Sequence, residues 1–117
     1  MNNNLNEMVK KYIETLVEID NYAYIIIEKI AKICKPVIKD IKCSVGWEEG
    51  GIDTLCFYSN SHHKQRAVCF EDLITEVIPV LKGHVYCPFG FYLSKKEAQK
   101  IRELLVKEVN KNERDKI

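Results

Sequence analysis

Three carboxylates, Glu48, Glu49 and Asp53, surround the Gly50-Gly51 pair in the stretch GWEEGGIDTLCF. Two glycines supply the positive φ values a tight hairpin needs. A two-residue turn at Gly50-Gly51 sets Glu48 directly across from Asp53, about 5 Å away. Two carboxylates at that spacing can share a Mg²⁺ ion and support a metal-dependent nuclease. Such a site also calls for a Glu-x-Lys or Gln-x-Lys element on the next strand, and KQRAVCF has none. Acidic residues at a glycine-rich turn also serve turn formation and solubility, with Asp53 answering Lys42 or Arg66. We read the stretch as a turn and keep the Glu48/Asp53 nuclease as an alternative.

Cys56, His62, His63 and Cys69 form a C-x5-H-H-x5-C pattern. Zinc takes four such ligands in a tetrahedron. The chain has no C-x2-C knuckle, and Cys56 and Cys69 sit in apolar strand contexts where cysteine packs as a small hydrophobe. These four are weak metal candidates, and neither a metal nor a cofactor is expected. His84 and Cys87 lie three apart in an extended segment, so they point to opposite faces and form no local dyad. A thiolate nucleophile further needs a positive or helix-N-terminal setting. No catalytic residue is assigned.

Lys95, Lys96 and Lys100 stand at the start of a helical stretch, SKKEAQK. This stretch resembles the opening of the last helix of double-stranded-RNA-binding domains, over seven residues of the chain. The resemblance implies that Lys95 and Lys96 contact phosphates, aided by the helix N-terminus. The third lysine of that pattern is replaced by Gln99, with Lys100 displaced by one. A helical stretch also intervenes where the family has consecutive strands. RNA binding through Lys95, Lys96 and Lys100 is therefore a second alternative.

Aromatic residues gather at Trp47, Tyr58, Phe70, Tyr86, Phe89, Phe91 and Tyr92. Core packing accounts for most of them. Trp47 at a hairpin end, and Phe89 or Tyr92 in YCPFGFY, are the best guesses for aromatic anchors at a protein interface.

The elements that must position these groups are read from periodicity. Leu5, Val9, Tyr12, Leu16, Ile19, Ala23, Ile26, Ile30 and Ile33 recur in steps of four and three, a helical period over roughly 4–34. A second stripe, Ile13, Val17, Tyr24, Ile27, Ala31 and Cys34, widens the apolar face after Asn21. Pro36 ends the helix. The heptad spacing permits a homodimer through this N-terminal helix, with Leu16 in its seam. Alternation of Ile41, Cys43, Val45 and Trp47 predicts a strand. Ile52 to Tyr58 follows as its hairpin partner, with Ile52, Thr54, Cys56 and Tyr58 on the Trp47 face. AVCF, 67–70, reads as a short third strand. A helix opens at Glu71 or Asp72 and runs toward Gly83, kinked or shortened by Pro79. HVYCPFGFYL, 84–93, reads as one edge or bulged strand. Ser94 and Glu97 form a capping box for a final helix, and the charged tail after Asn110 is expected to fray.

The order α-β-β-(β)-α-β-α predicts an α+β two-layer domain. The long N-terminal helix and the C-terminal helix pack on a small antiparallel sheet. One globular domain over 1–117 is expected, with 1–4 and 111–117 frayed. Net charge is +1, and only residues 94–117 are notably basic, with eight basic and five acidic groups. Such a chain has no overall field for nucleic acid or membrane. The five cysteines are odd in number, and MNNNLNEMVKK carries no apolar h-region. Free thiols in a reducing cytoplasm follow. By elimination we expect a small non-enzymatic protein-binding module of the inhibitor, immunity or regulatory kind, from a bacterium or phage, with a protein as its partner.

Overall fold

The computed structural model describes residues 5–48, 51–63, 67–88 and 90–115. Within these, the side chains at 12, 13, 16, 17, 19, 20, 48 and 112–115 are outside the description. The fold is α+β. In chain order it comprises α1 (Leu5–Cys34), β1 (Lys42–Glu48), β2 (Gly51–Tyr58), β3 (Val68–Cys69), α2 (Phe70–Val77), β4 (Val85–Tyr86), β5 (Tyr92–Leu93) and α3 (Lys95–Asp115). A 3₁₀ turn at Pro79–Leu81 follows α2.

Helix ends follow local chemistry. α1 stops just ahead of Pro36, and the Cys34 carbonyl accepts the N–H groups of Val37 at 3.0 Å and Ile38 at 2.9 Å. α2 closes with the Ile78 N–H on the Ile74 carbonyl at 2.8 Å. Pro79 has no N–H to continue that ladder, so the chain tightens into the 3₁₀ turn. Gly83, at φ +85°, then turns the chain into β4. At α3 the capping box forms in both directions: the Ser94 N–H donates to Glu97 Oε1 at 3.0 Å, and the Glu97 N–H donates to Ser94 Oγ at 3.2 Å. α3 continues as helix to Asp115, past the point where the charged tail was expected to begin.

The strands depart from the predicted single antiparallel sheet. β1 and β2 pair antiparallel, but β4 joins β2 in parallel, giving the order β1-β2-β4. β3 and β5 form a separate antiparallel pair. The stretch 84–93 is thus two strands in two sheets, divided at Pro88 and Gly90. A strand that must pair on both sides of a proline and a left-handed glycine (Gly90, φ +59°) cannot stay continuous.

The hairpin register also differs. Glu48 pairs with Gly51, not with Asp53. A bulge between Gly46 and Trp47 sets Trp47 opposite Ile52 and Gly46 opposite Thr54, so Asp53 is the extra residue. Direct partners share a face, so Cys43 with Phe57 and Val45 with Leu55 form the core face. Leu55 and Phe57 are buried while Thr54, Cys56 and Tyr58 are only part-buried, the reverse of the predicted facing. The bulge brings Ile52 back to the buried side, because one extra residue switches strand parity.

The C-terminal half of α1 covers this face through Ala23, Ile27, Ile30 and Cys34, and α1 also contacts α3. The core centres on Phe57, Phe70 and Phe91, all fully buried. Phe70 and Phe91 stack with ring centroids 4.5 Å apart, and Phe57 tilts against Phe70 at 5.5 Å. Ile101, Leu105 and Ala98 close the core from α3.

Candidate functional site

Period two along β2 points Leu55, Phe57 and then Ser59 inward. Ser59 is 1% exposed, and one turn later His62 is 7% exposed. A buried hydroxyl and a buried imidazole need partners, and three separate segments supply them. Ser59 Oγ donates to Asp40 Oδ1 at 2.6 Å, from the loop between α1 and β1. Ser61 donates twice to the same carboxylate, from Oγ to Oδ1 at 2.8 Å and from its N–H to Oδ2 at 3.1 Å. His62 Nδ1 lies 2.8 Å from both Ser59 Oγ and Ser61 Oγ. On the other side of the ring, Nε2 lies 2.8 Å from Glu97 Oε2 in the first turn of α3. The ring edge meets Phe91 with centroids 5.8 Å apart. The Tyr92 N–H donates to the His62 carbonyl at 3.2 Å.

The electrostatics follow from these contacts. The Ser59 hydroxyl, helped by the Ser61 N–H and hydroxyl, outweighs burial and holds the Asp40 carboxyl down at about 2. Burial would raise Glu97, but its hydrogen bonds from His62 and Ser94 prevail and it titrates below the usual glutamate range. A carboxylate only accepts, so Nε2 carries the proton toward Glu97. Nδ1 faces the Oγ atoms of Ser59 and Ser61, whose hydroxyls both donate to Asp40.

Serine, histidine and a carboxylate in hydrogen-bond sequence form the nucleophile–base–orienter arrangement of covalent catalysis. The geometry here favours another task. Ser59 is buried, with its hydroxyl on Asp40. Ser61 is exposed, but both its hydroxyl and its N–H are turned onto Asp40, and that N–H would be the natural oxyanion donor. The cluster ties the α1–β1 loop, the β2–β3 loop and the start of α3 into one unit.

The residues singled out from sequence scatter over the fold. Asp53 sits in the bulge and accepts from Thr54 Oγ1 at 3.0 Å, while Glu48 is paired with Gly51 and its side chain is outside the description. The predicted cross-strand carboxylate pair is therefore absent. His63 Nδ1 donates to the Asn60 carbonyl at 2.6 Å, away from His62's partners. Cys56 lies in β2 and Cys69 in β3, in different sheets. Among the described residues no three or more ligating side chains converge on a metal position. Burial raises the Cys34 thiol to about 12 and pushes Cys87 well up, and Cys43 and Cys56 are raised by the same cause. His84 Nδ1 faces the Asp53 carbonyl at 3.2 Å, not Cys87.

Lys95, Lys96 and Lys100 are exposed on α3. Lys96 and Lys100 line a groove of about 530 Å³ beside Glu97 and Glu103, with Pro36 and Val37 opposite. Two acids beside two lysines leave this groove without a dominant positive field. Trp47 is 62% exposed at the hairpin end of β1, Tyr92 is half-buried in β5, and Phe89 lies outside the described residues.

The N-terminal part of α1 carries exposed apolar side chains. Every described side chain from Leu5 to Tyr22 is exposed, including Leu5 at 74%, Met8 at 57% and Val9 at 47%. Among the described residues of the helix, Ala23 is the first that is buried. Residues 5–22 thus form an arm of about 27 Å at 1.5 Å per residue. The radius of gyration, 16.3 Å, exceeds the roughly 13 Å of a compact chain this long, as projecting helices require. At the base of the arm, Tyr22 and Ile26 border a shallow groove floored by Ile52, Leu55 and Leu81. No helix among the described residues is long and apolar enough to cross a membrane.

No protein-family model, curated protein or solved structure matches this chain.

Proposed function

We propose that this protein is a non-enzymatic protein-binding module and that the arm of α1, residues 5–22, is its contact surface. One observation carries the reading: the apolar Leu5, Met8 and Val9 stay exposed on a helix that continues well past its own core. A helix of this length is marginal in water by itself. An amphipathic one gains its stability by laying its apolar face on another surface. Tyr22 and Ile26 are exposed as well, beside the groove at the base of the arm. A role as inhibitor, immunity partner or regulator of a larger protein suits such a surface.

The test is affinity capture from the source cell with the intact chain and with Met8→Asp/Val9→Asp. Both positions are exposed, so the variant keeps its core. A captured protein lost with the variant supports the reading. A capture profile that the variant leaves unchanged overturns it.

A further inference from the structure

We propose that the arm's occupant is the same arm of a second copy of this chain, running antiparallel; this rests on the arm being the contact surface. The heptad spacing of the sequence aligns positions 5, 9, 12, 16 and 19 in one stripe along the arm. Glu7, Glu14 and Asn21 fall at the position farthest from it, as a solvated outer edge should.

Charge then selects the direction. Residues 5–13 carry Glu7, Lys10 and Lys11, a net of +1, and residues 14–22 carry Glu14, Glu18 and Asp20, a net of −3. Antiparallel pairing lays the positive half of one arm on the negative half of the other. Parallel pairing lays like on like. The helix macrodipoles also oppose each other only when antiparallel.

One register uses the whole arm. It sets Val9 level with position 19 of the second copy, so the arms overlap over residues 5–22. The seam then ends where α1 enters its own core, and the exposed Met8 approaches the exposed Tyr22 of the second copy across the flank. The seam spans about two and a half heptads, short for a coiled coil, so the association depends on concentration.

The experiment is sedimentation equilibrium on the purified chain alone, over a wide concentration range. The expected result is a mass rising from 13.6 kDa toward twice that value. Met8→Asp/Val9→Asp should raise the dissociation constant about tenfold or more. Lys11→Glu should raise it about fivefold, and adding Glu14→Lys with Glu18→Lys should recover most of the loss, because the two halves then carry −1 and +1. A dimer indifferent to both charge variants would overturn the antiparallel arrangement. A monomer at every concentration would overturn self-pairing. Arm-dependent capture of another protein would then still uphold the arm as the contact surface, whereas loss of both would remove that reading too.

Discussion

His62 Nε2 and Glu97 Oε2 lie 2.8 Å apart and join the loop after β2 to the first turn of α3, 35 positions away in sequence. The same carboxylate closes the capping box with Ser94 through its other oxygen. Glu97 therefore serves helix initiation and tertiary closure at once. Glu97→Ala should destabilise the chain by about 2–4 kcal/mol, since it removes a cap and leaves a buried ring nitrogen without its acceptor. Glu97→Gln should recover part of the loss. Urea unfolding of the three proteins checks this, and equal midpoints for Ala and Gln would count against the double role.

Ser59 is the hinge of the same cluster on its opposite side. Ser59→Ala should cost about 1–3 kcal/mol, because Asp40 and His62 both lose a buried partner. Ser61→Ala, at an exposed position, should cost less. Thermal melts of the two variants would rank them, and the reverse order would contradict the assigned burial.

Acid should loosen this cluster first. Asp40 is depressed from 3.8 to about 2, and Glu97 is depressed as well. A depressed carboxyl stabilises the fold above its unfolded value and loses that contribution as pH falls through its folded value. Stability should hold down to about pH 4 and drop between pH 4 and pH 2. In Asp40→Asn that drop should be shallower. Denaturant midpoints against pH would show it, and parallel curves for the two proteins would refute it.

The thiols offer a direct reading of the core. Cys34 and Cys87 are buried and shifted upward by that burial. At pH 8 neither should react with a thiol reagent in the folded protein, and both should react in denaturant. Mass mapping of the labelled sites decides it; fast native labelling of Cys34 would contradict the packing of α1 on the sheet.

Much of the fold is legible in the sequence where the determinant is local. Pro36 and Pro79 set helix ends, Ser94 and Glu97 cap α3, and the four-three spacing of α1 is a property of one segment. The register of the hairpin is not local. A single bulged residue at Asp53 exchanges the two faces of β2, and nothing in GWEEGGID marks it. The parallel pairing of β4 to β2 depends on how α2 returns the chain. The polar cluster draws on Asp40, Ser59, Ser61, His62 and Glu97 from three segments. Only the inward parity of Ser59, continuing Leu55 and Phe57, hints at it. His62 reads as a turn residue because its burial comes from α3 and Phe91.

The arm is half legible. The heptad forecasts a seam, but the sequence alone does not say where that seam leaves the core. Among the described residues this change falls at Ala23, with Ile27, Ile30 and Cys34 buried beyond it and Leu5, Met8 and Val9 exposed before it. Val9→Asp should accordingly change the unfolding free energy of the dilute protein by no more than about 0.5 kcal/mol. Ile27→Asp should prevent folding.

The most direct measurement of the central claim is amide hydrogen exchange across residues 5–22 at low and at high protein concentration. An isolated arm frays and exchanges quickly, whereas a paired arm is protected. The account predicts that protection in 5–22 rises with concentration, that amides around Ile101 and Leu105 stay constant, and that Met8→Asp/Val9→Asp abolishes the rise. Exchange in 5–22 that is independent of both concentration and the seam substitutions would contradict it.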